Sequence, residues 1–139
     1  MTGIFVHELF EKHLDGYNHP ERPERYRALI DRLERFPEPG RLRFIEAIPA
    51  EIAWLERVHD REYIDGILSL DVRDAVVLDW GDTVATPATP PAALFAAGAV
   101  VHASRMVLAG EIASAFCPVR PPGHHAERDR AMGFCIFNN

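Results

Sequence analysis

TPPAALFAAGAVVHASRMVLAGEIASAFCPV, residues 89–119, reads as one long apolar helix followed by one apolar strand. Thr89 is suited to cap the helix, with Pro90 at its first position. The helix is expected to run to about Ala109 and to stop at Gly110. It is apolar nearly all round, so it should be well buried. Ile112 to Val119 then reads as a strand. A helix that leads within a few residues into an apolar strand is the unit of a parallel sheet with crossover helices.

The same alternation extends outward. Gly3–His7 reads as a short buried strand and Leu9–Asn18 as a polar loop. His19-Pro-Glu-Arg-Pro-Glu-Arg25 opens a helix whose Tyr26, Leu29, Ile30 and Leu33 form one apolar stripe. Glu21 and Glu24 suit the positive end of its dipole, and Pro37, Pro39 and Gly40 end it. Arg43–Ile48 reads as a second strand. Glu51–Val58 and Arg61–Leu70 read as two short helices meeting at His59-Asp60, and Ala75–Leu78 as a short strand. Thr83–Thr89 and Arg120–Gly133 read as loops, and Phe134–Phe137 as a fifth strand. Unbroken apolar strands fit a sheet covered on both faces, so the expected class is a three-layer αβα fold with a parallel sheet.

Composition is that of an ordinary globular protein. The 139 residues carry 15 Lys+Arg against 21 Asp+Glu, with 47% hydrophobic residues. The net charge of −6 argues against direct nucleic-acid binding but tolerates a cationic substrate. Cys117 and Cys135 are too few for a disulfide scaffold and read as buried, inert thiols. The start lacks a basic segment followed by an apolar core, so no signal peptide is expected. The apolar run from Ala92 to Val101 is short and is followed by His102, so no membrane span is expected. A reduced, cytoplasmic setting is the resulting expectation. Oligomeric state stays open.

In open α/β sheets ligands bind at the carboxyl ends of strands. That directs attention to the loop after Val119, which reads Arg120-Pro-Pro-Gly-His-His-Ala-Glu-Arg-Asp-Arg-Ala-Met-Gly133. Two adjacent imidazoles can divide labour, one as general base and one as acid or electrostatic stabiliser. As ligands of one metal they are less apt. Neighbouring side chains on extended backbone point apart, and zinc needs three or four ligands. The chain has no Asp-x-His triplet. An idle, solvent-facing pair is the bland alternative.

Arg120-Pro-Pro-Gly-His-His-Ala, followed by Met132-Gly-Phe-Cys-Ile-Phe-Asn-Asn139, resembles the signature of the histone deacetylase superfamily. That superfamily includes acetoin-utilisation proteins and acetylpolyamine amidohydrolases, and the Arg-Pro-Pro form looks like its class II branch. Three further stretches match in order: His19–Arg25, Val58-His-Asp-Arg-Glu-Tyr-Ile64, and Asp82-Thr83 with the Ala-rich helix containing Gly98. The resemblance implies an arginase/deacetylase-like fold and zinc-dependent hydrolysis of an acetamide on an amine, such as acetyl-lysine or an acetylpolyamine. It implies that His125 is the main acid–base residue and His124 its electrostatic partner. It places Phe134 as one tunnel wall, Gly133 as a carbonyl near the substrate amide, Asp82 as a rim carboxylate and Arg25 near an acetate channel. Each has a plainer reading: strand core for Phe134, a turn for Gly133, a loop cap for Asp82, a solvated helix face for Arg25. His59 and Tyr63 look structural, and His102 reads as a satisfied core histidine.

The family's zinc ligands follow the Gly-Phe stretch and are absent from these residues. Residues 1–139 are therefore expected to be the N-terminal portion of one deacetylase-like domain, cut before its metal site. The isolated chain is then expected to be inactive and its last sheet edge prone to aggregation. The competing readings are an inactive or partner-binding remnant, and a different hydrolase that uses the histidine pair with a metal from another chain.

Overall fold

A computed structural model describes residues 1–138 of the chain. The elements run β1 (Thr2–Val6), α1 (Leu9–Lys12), α2 (Pro23–Glu34), β2 (Leu42–Glu46), α3 (Ile52–Leu55), α4 (Arg61–Leu68), β3 (Val76–Val77), β4 (Val84–Ala85), α5 (Thr89–Leu108) and β5 (Ser114–Phe116). A three-stranded sheet has the order β2-β1-β5, all parallel, with β1 central. The α/β alternation and the parallel pairing match the expected class.

The core forms where α5 lies on the sheet. Phe5 is fully buried and clusters with Ala96, Ala99, Ala103, Met106 and Ile112. Small side chains let the helix approach closely, and at Gly98 the approach is closest. A Cβ there would lie 2.0 Å from the Ile48 carbonyl oxygen and 2.5 Å from the Ala50 nitrogen. The Ala50 N–H donates to the Leu94 carbonyl at this crossing. By length and composition α5 could cross a membrane, yet its alanine-rich face is core.

Besides α1, a turn of helix at Leu9–Lys12 inside the expected Leu9–Asn18 loop, four expectations need correction. Phe134–Phe137 is not a strand. Met132 and Cys135 exchange backbone hydrogen bonds around Gly133 (φ 57°) and Phe134 (φ 71°), a two-residue turn of the positive-φ kind. Cys135, Ile136 and Phe137 are apolar because they are buried, and beyond the Met132–Cys135 bridge none joins a strand. A short apolar run cannot by itself distinguish these outcomes. Second, Val76–Val77 pairs antiparallel with Val84–Ala85 in a separate hairpin, so part of the expected 83–89 loop is strand. Third, the sheet is not fully covered. Phe44 and Phe116 flank Ile4 in register and are each 42% exposed. Fourth, Thr89 does not cap α5 from outside. It is the first helical residue, and its hydroxyl accepts the Thr86 N–H.

Candidate functional site

The loops after β1 and β5 leave the carboxyl edge of the parallel sheet together, and a buried ion pair joins them. Arg120 donates through Nε to both carboxylate oxygens of Glu21, at 2.8 and 3.1 Å, and through its remaining nitrogens to the Glu21 and Phe10 carbonyls. Arg120 is 3% and Glu21 5% exposed. Glu21 therefore does not serve the α2 dipole as the sequence suggested. Its partner lies 99 residues away, where local reasoning does not reach. The Arg120–Pro121 peptide is cis.

A histidine stands on each side of this pair. The His19 Nδ1 accepts the Glu21 N–H, and its Nε2 donates to the Asp82 carbonyl at 2.6 Å. Its ring meets Phe134 edge-on at 4.7 Å. His13 accepts the Thr89 hydroxyl at Nδ1 (2.8 Å) and turns Nε2 toward Glu21 at 3.5 Å. Burial, then the Arg120 guanidinium and His19, push the His13 imidazole from 6.5 down to about 3. The unfolded chain therefore binds a proton that the folded chain refuses between these values. The stability His13 contributes is complete above pH 6.5 and is lost as pH falls toward about 3. The groups facing it are Glu21, Arg120 and His19. His13→Gln is expected to flatten the decline of urea-denaturation stability between neutral pH and about pH 4. An unchanged slope would remove His13 from the account.

Beyond Arg120 the chain turns at Gly123, whose carbonyl accepts the Ala126 N–H. The turn brings the His124 and His125 rings side by side, with centroids 4.2 Å apart and planes at 60°. Extended backbone would point the two rings apart; the turn at Gly123 brings them together. The His125 N–H meets the Cys135 Sγ at 3.3 Å, and the thiol donates to the Gly133 carbonyl. A Cβ at Gly133 would lie 2.9–3.0 Å from the His125 ring and Cβ. The missing side chain thus makes room for that imidazole.

Arg25, Asp82, His124, His125, Gly133 and Phe134 all line one cavity of about 680 Å³, together with Glu21 and Arg120. This is the size range of small-molecule sites. The histidine rings and Arg25 have no side-chain hydrogen-bond partner among the described residues, so they are open to a ligand. Glu21 and Arg120 tie the architecture together, a pairing not foreseen from sequence, where Glu21 read as a helix-dipole residue and Arg120 as the start of the loop motif. The signal available was the Glu in His-Pro-Glu-Arg and the Arg before Pro-Pro-Gly. His59 and Tyr63 are structural as expected. His59 accepts the Asn138 N–H at 2.8 Å, and Tyr63 donates to the Ile136 carbonyl at 2.6 Å. His102 differs from expectation, because its buried Nδ1 has no partner. Burial raises both thiols: Cys117 to about 11, and Cys135 despite N–H donors from His125 and Ala126. Both read as poor nucleophiles. Asn139, the end of the matched motif, lies outside the described residues.

Among the described residues no three His, Cys, Asp or Glu side chains converge as a metal site. The histidine pair is two donors without a third, and that set does not fit zinc.

A parallel α/β sheet with paired imidazoles at its carboxyl edge is consistent with the arginase/deacetylase-like architecture that the sequence resemblance implied. The comparisons agree with it. The family model described as histone deacetylase domain matches residues 19–139. A probable deacetylase of Archaeoglobus fulgidus is 36% identical over the whole chain, which spans 39% of that protein. The polyamine deacetylase HDAC10 of Homo sapiens is 36% identical over 86% of the chain and 18% of its own length. The crystal structure of the HDA15 HD domain superposes with a TM-score of 0.88 at 32% identity, covering 99% of this chain and 40% of that one. The chain belongs to the histone deacetylase family.

Proposed function

We propose that this chain supplies the proton-handling and substrate-gripping part of a deacetylase site acting on an acetylated amine, a lysine side chain or a polyamine. The observation that carries the reading is the single cavity shared by His124, His125, Asp82, Gly133, Phe134 and Arg25. In it His125 is the general acid–base and His124 holds charge or a proton beside it. The half-buried Phe134 ring packs on the methylene chain, which an aromatic face does without demanding hydrogen bonds. The Asp82 carboxylate accepts substrate N–H groups at the rim. The Gly133 carbonyl keeps a lone pair for the scissile amide, and Arg25 receives acetate.

The described residues hold no ligand set for the zinc ion that the family resemblance implies. The chemistry assigned to them is therefore proton handling and grip alone. The chain spans about 40% of the HDA15 domain, and we infer that full turnover belongs to a larger polypeptide. Two measurements on the 139-residue chain test this. Titration with an acetyl-lysine peptide or N-acetylputrescine should shift NMR signals of His124, His125 and Phe134. Hydrolysis of the same probes with added zinc should stay at the zinc-only blank. No shifts at the cavity would refute the grip, and chelator-sensitive turnover would refute the shared-site reading.

A further inference from the structure

The hairpin tip that carries Asp82 is tied to the Gly133-Phe134 turn by one hydroxyl. Thr83 is fully buried. Its Oγ1 donates to the Asp79 carboxylate at 2.6 Å and accepts the Phe134 N–H at 3.0 Å. The first bond dictates the second. With its only hydrogen committed to the carboxylate, the hydroxyl presents lone pairs to the Phe134 amide. Asp79 is fixed in turn by the Gly81 and Thr83 N–H groups, both 3.0 Å from its other oxygen. Burial alone would raise the Asp79 carboxyl, but these hydrogen bonds outweigh it and hold it below its ordinary value.

The clasp closes on a strained residue. Phe134 sits at φ 71°, a left-handed conformation that a bulky residue rarely adopts unless its surroundings enforce it. Without the bond to Thr83 the amide would be left unpaired at a half-buried site, and the turn could relax toward negative φ. The ring direction would change with it.

We propose that Thr83, oriented by Asp79, is a positioning residue that holds the Phe134 ring and Asp82 at a fixed separation across the cavity mouth. This rests on the reading of Phe134 and Asp82 as substrate-gripping residues. Thr83 touches no substrate itself. It converts the order of the Asp79–Thr83 turn into the order of the cavity wall.

The test uses Thr83→Val, which keeps the shape and removes the hydroxyl, and Thr83→Ser, which restores it. Amide hydrogen exchange in the full chain should show Phe134 protection falling about tenfold in T83V. T83S should hold it near wild type, and amides of Phe5 and Ala99 should be unchanged in both. Asp79→Ala, at a partly exposed turn, should give the same local loss if T83V does not fold. Affinity for an acetyl-lysine peptide should weaken about tenfold in T83V and recover in T83S. Retained Phe134 protection in T83V and Asp79→Ala would overturn the clasp. So would a uniform loss across α5 and β1, or a failure of serine to rescue. If wild type binds no acetylated amine while the exchange pattern holds, the clasp stands and the substrate reading falls.

Discussion

Arg120→Met is expected to lower the unfolding free energy by about 3–5 kcal/mol, the usual cost of stripping one partner from a buried ion pair. The methionine fills similar volume, so the loss is electrostatic. Glu21 stays buried at 5% exposure with no guanidinium. The Phe10 and Glu21 carbonyls lose their donors as well. A single domain has about 5–15 kcal/mol in total, so the variant should sit close to the folding threshold. Urea denaturation measures this directly. The double variant Glu21→Met/Arg120→Met should recover much of the loss, because a pair removed together leaves no orphan charge. A double variant as weak as the single would mean that geometry at the loop junction, not charge compensation, is what the pair supplies.

The second large effect is a reversal of sign between two glycines. In an exposed helix interior, Gly→Ala stabilises by up to about 1 kcal/mol. Gly66 lies on the exposed face of α4 with no neighbour within 4 Å of a built Cβ, and Gly66→Ala should follow that rule. Gly98→Ala should do the opposite. Its Cβ would overlap the Ile48 oxygen, the Pro49 carbonyl carbon and the Ala50 nitrogen, at 2.0–2.6 Å. All three are backbone atoms, so no rotamer change relieves the clash. α5 must lift off the 48–50 segment, and the Ala50–Leu94 hydrogen bond goes with it. The expected loss is about 3 kcal/mol, the upper end for overpacked cores. Melting temperatures of the two variants on either side of wild type would establish the crossing. A stabilised Gly98→Ala would show that α5 is not clamped there.

What the sequence made legible follows from how local each feature is. α5, expected over 90–109 with Thr89 as its cap, spans Thr89–Leu108, because one unbroken apolar segment with prolines at its start leaves few alternatives. His124, His125, Gly133 and Phe134 were legible through the Pro-Pro-Gly-His-His and Met-Gly-Phe motifs, and Arg25 and Asp82 through the His19–Arg25 and Asp82-Thr83 stretches. The Glu21–Arg120 pair was not, because both residues have ordinary local uses, one at a helix start and one at a loop start. The Phe134 turn was not, because a phenylalanine at positive φ has no sequence signature. It is held by a threonine 51 residues earlier. The closeness of the two imidazoles was missed for a simpler reason: extended geometry was assumed where the chain turns.

The sheet order has a consequence for how the chain is made. β1 is the central strand, but one of its partners, β5, begins at Ser114, and Thr2 and Ser114 join hydroxyls across 112 residues. A nascent chain can pair β1 with β2 after some forty-odd residues, yet the other side of β1 waits for Ser114–Phe116. Closing so long a loop costs entropy before any contact repays it. Folding should therefore be late and slow on the ribosome, with β1 exposing one bare edge during synthesis. Until then that bare edge is the kind of surface that makes a folding intermediate prone to aggregate.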